Sequence, residues 1–322
     1  WKQTKHIMAR GVIVLALLTL LSSCNSKEDA VRHELGLVYN VLRDVDIDNY
    51  EVYAMDLDGS NKKNITDLYP VDWTYYSYED TLYFISDRGT CKRCYFLYKS
   101  NFKGGDVQKV SELELADSWM SSRKDGTELI VKPKLITENT FYILDQKGNI
   151  INRLETELAY AADPLFVNDG EQVVFRGGKT VGKHIDGFDE ELYIMDSDGS
   201  NLKQLTHYPE EDGSAGKYGY RAGAPKLNPN ENFVTYQSKQ DGKYSLYATT
   251  LDGSKTWKLT ENSQNEGWHD WSPDGKWLAI ELFDDQQSQF HIGLMNWETK
   301  EMKILTDTTF QYQQAPNFIY KQ

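Results

Sequence analysis

The sequence predicts an all-β protein, a six-bladed β-propeller of four-stranded blades. A C-terminal strand pairs with the N-terminal blade and closes the ring. Three observations carry this prediction. A hairpin motif recurs six times, with its turns 44 to 54 residues apart. A second short-strand unit sits between successive hairpins, so each repeat holds four strands. The two ends of the chain supply complementary parts of one blade.

The hairpin is clearest from Glu191 to Thr206, where a strand, a turn at Asp198-Gly199 and a second strand ending in Leu-Thr follow one another. Asp-Gly supplies the positive φ that a tight turn needs. Glu51 to Thr66 is nearly the same string, and Tyr244 to Thr260 repeats it. Weaker copies run from Phe96 to Ser111, Phe141 to Glu155 and His291 to Thr306. The turn positions are Gly59, Gly104, Gly148, Gly199, Gly253 and Thr299. The intervening unit is best seen from Trp268 to Ile280, with a Pro-Asp-Gly turn between two strands. Related copies start at Asp72, Ser118, Pro164 and Pro225. At the C-terminus, Ala315 to Tyr320 matches only the first strand of a blade. At the N-terminus, Leu35 to Leu42 matches only the second. Joining them removes two unpaired edges.

Leu-Thr at the hairpin end, Trp271 to Ala279 (Trp-Ser-Pro-Asp-Gly-Lys-Trp-Leu-Ala), and the Tyr-x-Met-Asp-x-Asp-Gly-Ser-Asn strings at 53–61 and 193–201 resemble the repeats of TolB-type six-bladed propellers. The resemblance spans roughly residues 35–322. It implies the architecture far more than a function. TolB itself carries an α/β domain ahead of its propeller. About ten residues separate Cys24 from the first expected strand, so that domain is expected to be missing.

Residues 1–23 read as a lipoprotein signal peptide. Lys2, Lys5 and Arg10 precede the apolar run 11–21, and Leu21-Ser22-Ser23-Cys24 looks like a bacterial lipobox with Cys24 as the lipidated residue. The plainer alternative is an uncleaved anchor. The chain opens on Trp1, and Met8 is another possible start. Residues 24–34 form a tether, and 35–322 the propeller. Position 25 is Asn rather than the Asp of an inner-membrane retention signal. Lys27-Glu28-Asp29 resembles a surface-export signal or is simply a solvated spacer. These features place the protein in the cell envelope, lipid-anchored at the outer membrane, on its periplasmic or surface face. Cys91 and Cys94 read as a local disulfide at a hairpin tip, with a free thiol pair as the second reading.

Composition excludes several functions. The formal net charge is −14, which disfavours nucleic-acid backbones. Aromatics at 13% argue against disorder. Only one apolar run exists, so a multispanning membrane protein is excluded. No Gly-x-Ser-x-Gly elbow is present. Asp56-x-Asp58-Gly59 and Asp196-x-Asp198-Gly199 begin like calcium loops, but strands flank both, and a hairpin turn is the better reading. Gly177-Gly178-Lys179-Thr180 lacks the earlier glycine of a phosphate loop. The histidines show no metal-ligand spacing. His184, His207 and His269 could converge only across blades, as a metal-dependent polysaccharide lyase would require. No cofactor or metal is therefore expected.

What remains is a binding surface. Loops leading into the innermost strands carry Asp72-Trp73, Asp117 to Trp119, Tyr160 to Asp163, Tyr218 to Arg221, Trp268 to Asp270 and Tyr312 to Gln314. Aromatic faces beside hydrogen-bonding groups suit sugars or peptide segments. The candidate ligand residues at the channel mouth are Trp73, Trp119, Tyr220, Arg221, Trp268, His269 and Asp270. Trp271 and Trp277 read instead as packing between blades. The expected protein is a non-enzymatic lipoprotein that binds an envelope protein or a glycan and touches the membrane only through its lipid. The alternative is a lyase or glycosidase with its site at the channel mouth.

Overall fold

The computed structural model describes residues 34–68, 71–180 and 189–321. The expected lipobox with Cys24, the expected signal peptide, His184 and all but the last residue of the expected tether lie outside the described residues. From Glu34 onward the described residues form six four-stranded antiparallel sheets. Blade 1 holds Gln313–Lys321, Glu34–Asp44, Asn49–Asp56 and Lys63–Asn64, in that order from the axis outward. The remaining five blades follow in sequence, starting at Asp72, Ser121, Tyr160, Lys226 and Asn265.

The C-terminal strand closes the ring by pairing antiparallel with Glu34–Asp44, with Leu35 opposite Tyr320 and Leu37 opposite Phe318. The third blade departs from expectation. Its innermost strand is only Ser121–Arg123, so Ser118 and Trp119 precede it. The entry residues of blades 2, 4, 6 and 1 were expected in loops. Instead, Asp72-Trp73, Tyr160 to Asp163, Trp268 to Asp270 and Gln313-Gln314 all lie within innermost strands.

Neighbouring blades cover both faces of the second and third strands, which are largely apolar on both sides, while most of the outermost strands are exposed. In Glu34–Asp44, Leu37, Tyr39 and Val41 pack against Ile292 and Leu294 of blade 6. Val38, on the other face, packs against Leu82 and Phe84 of blade 2. Similar clusters fill the interfaces between blades 3 and 4, 4 and 5, and 5 and 6. Trp271 is buried in the last of these, and its Nε1 donates to Thr235 Oγ1 at 3.1 Å.

The recurring Gly and Leu-Thr positions explain one another. A Cβ added at Gly104 would lie 2.1 Å from the carbonyl oxygen of Ile65, and one at Gly148 would lie 1.9 Å from that of Val110. Each of these turns presses on the outer strand of the preceding blade, and only glycine permits that approach with φ near +80°. In the Leu-Thr pair, Leu205 and Leu305 are buried. The threonine hydroxyl accepts a backbone N–H from the third strand. Val52 N donates to Thr66 Oγ1 at 3.0 Å, Leu192 N to Thr206 at 2.8 Å and Ile292 N to Thr306 at 2.9 Å.

The carboxylates that resembled calcium loops serve their own turns. Ser60 N donates to Asp58 Oδ1 at 2.8 Å, and Asn61 Nδ2 to Asp56 Oδ2 at 2.8 Å. Ser200 and Asn201 repeat these bonds with Asp198 and Asp196. In Gly177 to Thr180, the backbone N–H groups of Lys179 and Thr180 donate to Asp189.

Closure also relies on a buried acid. Glu281, on the second strand of blade 6, accepts the N–H of Ala315 on the closing strand at 3.0 Å. Burial pushes its carboxyl up to about 8, while hydrogen bonds from Ala315 and Gln314 pull it back only partly. A carboxyl whose folded pKa exceeds its unfolded value contributes stability that is complete below the unfolded value. That contribution is lost as pH rises through the folded one. Glu281→Gln keeps an acceptor for Ala315 N and removes the titration. The Tm of the wild type relative to Glu281→Gln should therefore fall between pH 5 and pH 9. The corresponding change in unfolding free energy should be on the order of a few kcal/mol. A Tm difference independent of pH would show that Glu281 does not titrate in this window.

Candidate functional site

Alternation along the innermost strands decides which side chains reach the channel. In Asp72–Tyr78, Asp72 turns inward and is held by Arg88 at 2.9 and 3.0 Å, while Trp73 faces the axis. In Asn265–Trp271, Trp268 faces the axis. His269 turns into the blade interface, where its Nε2 lies 2.7 Å from Thr235 Oγ1. Trp119 reaches the axis from the segment ahead of the short third-blade strand.

The three tryptophans meet across the channel. Trp268 lies 5.8 Å from Trp73 and 6.2 Å from Trp119, centroid to centroid. Blades 3 and 6 are opposite one another in a six-membered ring, so the Trp119–Trp268 contact crosses the axis. Tyr50 packs edge-on against Trp73 at 4.7 Å, and Tyr75 against Trp119 at 5.1 Å. These rings form a septum across the channel. On its inner side, Lys226 Nζ sits 4.5 Å from the Trp119 ring and 3.3 Å from Asp270. On the other side a cavity of about 430 Å³ opens to the mouth, with Tyr220 and Gln314 in its walls.

Charged groups surround this cavity in pairs. Arg176 comes from the second strand of blade 4. Its Nε donates to Asp163 Oδ2 at 2.8 Å and its Nη1 to Glu190 Oε2 at 2.9 Å. Its guanidinium also lies over the Tyr220 ring at 5.0 Å. Burial raises the Glu190 carboxyl, and the adjacent guanidinium offsets only part of that shift. Asp163 in turn accepts Trp119 N at 2.9 Å, tying blade 3 to blade 4. At the rim, Arg93 pairs with Asp48 of blade 1. Arg93 sits at φ +60° between Cys91 and Cys94, whose sulfurs are joined and whose Cα atoms are 5.2 Å apart.

The structure thus gathers Trp73, Trp119, Tyr220 and Trp268 around one cavity. It places the other three candidates elsewhere. The Arg221 guanidinium stacks over Tyr208 at 5.2 Å, in a separate hollow with Glu191 and His207. His269 is sealed in, and burial with the nearby Lys226 pushes its imidazole down to about 3. Asp270 accepts Phe318 N at 2.9 Å, so it serves the closing strand. Sequence reasoning missed Tyr50, Tyr75, Arg93, Arg176 and Glu190. Only Arg176 carried a usable signal, as a lone charge inside the apolar strand Gln172–Gly178. Among the described residues, no three His, Cys, Asp or Glu side chains converge as metal ligands.

No protein-family model and no curated protein matches this sequence. Solved structures do match the fold. TolB from Acinetobacter baumannii superposes with a TM-score of 0.65 at 15% identity, over 88% of this chain and 66% of that one. A putative TolB from Agrobacterium tumefaciens gives 0.59 at 15% identity, over 85% and 89% of the two chains. The propeller is TolB-like. A chain of a nidogen/laminin complex also matches, at 0.60 and 9% identity, over 88% of this chain and 98% of that one. At such identities the likeness is one of fold alone.

The Asp163–Arg176–Glu190 cluster should be costly to break. Arg176→Met would strand two buried carboxylates, with an expected loss of about 3–5 kcal/mol in denaturant unfolding. A loss below about 1 kcal/mol would mean that solvent, rather than Arg176, neutralises the pair.

Proposed function

We propose that this protein is a non-enzymatic envelope lipoprotein, anchored through Cys24, that binds a protein or glycan partner at the septum-floored mouth. The observation that carries the reading is the cavity itself. It has an aromatic floor, is closed at one end, and is walled by polar groups already engaged with one another. Catalysis by paired carboxylates needs one poised as acid and the other as base or nucleophile. Here burial raises Glu190, but both of its oxygens accept protein donors, from Arg176 and from Arg221 N, and both Asp163 oxygens do likewise, from Arg176 and Trp119 N. A rigid ring with a preformed concave end is well suited to recognition. The TolB likeness agrees with a scaffold role in the envelope, and the lipobox supplies the anchor.

Two experiments test this. Cys24→Ser should move the protein from the membrane fraction to the soluble fraction, and persistence in membranes would refute lipid anchoring. In pull-downs from envelope extracts, Trp268→Ala and Trp73→Ala should lose a partner that the wild type retains, with circular dichroism unchanged. Full retention by both variants would move the binding site away from this mouth.

A further inference from the structure

We infer that the mouth cavity receives the end of an uncharged saccharide chain. This rests on the reading of the mouth as a binding site and names its ligand class.

The charges of the lining nearly cancel, although the chain as a whole stands at −14. Asp48, Asp117, Asp163 and Glu190 stand against Arg93, Arg176 and Lys217, which leaves one formal negative charge. Arg176 bridges Asp163 and Glu190, and Arg93 holds Asp48. A charged guest would meet both signs at close range and gain little net attraction. A guest dense in hydroxyls can donate to one member of a pair and accept from the other. The lining therefore selects for polarity without net charge.

The floor adds the apolar half of the recognition. Trp73 and Trp268 are both only partly buried and stand nearly perpendicular, at 82°. Each can offer ring surface to the C–H face of a sugar. Trp73 Nε1 is buried at this wall and donates to no acceptor among the described residues. The septum sets the direction of entry. Because Trp119 and Trp268 meet across the axis, a chain cannot thread the channel past them. It must present a terminus. A volume of about 430 Å³ accommodates a mono- or disaccharide unit and falls within the usual range for small-ligand sites.

The test is a titration followed by tryptophan fluorescence and calorimetry. The probes are neutral linear gluco-, manno-, galacto- and xylo-oligosaccharides, oligogalacturonates as the charged series, and cyclodextrins as chains without ends. At least one neutral linear series should bind. The charged series should bind at least about tenfold more weakly, and the cyclodextrins not at all. Trp268→Ala should weaken the neutral ligand by about tenfold or more, with Trp268→Phe intermediate and the fold intact by circular dichroism. Binding of cyclodextrin as tight as that of the linear chain would overturn the end-on reading. Equal affinity for the charged series, or full affinity in Trp268→Ala, would overturn the assignment of the ligand. If no saccharide binds while an envelope protein is captured in a Trp268-dependent way, the saccharide inference falls and the mouth still stands as a binding site. If no saccharide binds and capture does not depend on Trp268, both fall.

Discussion

Every innermost strand of this ring has one edge without a strand partner, and the rest of the structure is arranged around that constraint. Backbone N–H and C=O groups on such an edge must be satisfied wherever side chains bury them. The solution is a polar side chain lent across to a neighbouring blade. Asn40 of blade 1 exchanges two bonds with the backbone of Thr74 in blade 2. Asp163 of blade 4 accepts Trp119 N near blade 3. Asp270 and Glu281 of blade 6 accept Phe318 N and Ala315 N of the closing strand. These residues are buried or nearly so and polar because the edges require it. Their carboxylates are structural acceptors first.

The same constraint shapes the electrostatics. A carboxylate sent into the channel wall loses water and must recover the cost through hydrogen bonds or a cation. Asp72 is held by Arg88, and Asp163 and Glu190 share Arg176. Glu281 has backbone and amide donors without a cation, and burial accordingly raises its carboxyl. His269 meets the constraint in the opposite sense. It stays neutral beside Lys226 and Thr235, packed between blades 5 and 6. The acidic composition thus reflects exposed turns as well as these internal contacts, and it says little about the ligand.

Much of the fold was legible because the blade repeats its local solutions. Asp-Gly turns, Leu-Thr ends and Trp-Ser-Pro-Asp-Gly strings are each short-range devices, and a sequence displays short-range devices directly. Closure was legible because the end strands matched different positions of one blade. The site was legible only in part. Trp73, Trp119 and Trp268 stood out as aromatics near the axis, but their neighbours did not separate by type. His269 and Asp270 were grouped with Trp268 on the assumption of a loop. The strand Asn265–Trp271 instead sends successive residues to opposite faces, and a register shift between Glu266 and His269 alters that alternation. Arg221 was read as a mouth residue, yet it turns outward to Tyr208. Arg93 comes from a turn of blade 2 and Arg176 from the second strand of blade 4, and local pattern cannot bring the two together.

The cavity and the closure of the ring share a strand. Gln314 belongs to the C-terminal strand, lines the cavity and accepts a hydrogen bond from Tyr50 Oη at 3.2 Å. Its neighbour Ala315 sits at φ +53° and donates to buried Glu281. Tyr50 in turn packs edge-on against Trp73 of the septum. Floor, wall and closing strand therefore form one contiguous set of contacts across blades 1, 2 and 6. A ligand resting on Trp73 and Gln314 bears on the residues that hold the ring shut. By linkage, whatever binds there stabilises the closed ring over the open one, and whatever loosens the closing strand weakens the site. The septum lets one end of a channel serve as a preformed cavity, and it can do so only while all six blades hold their places.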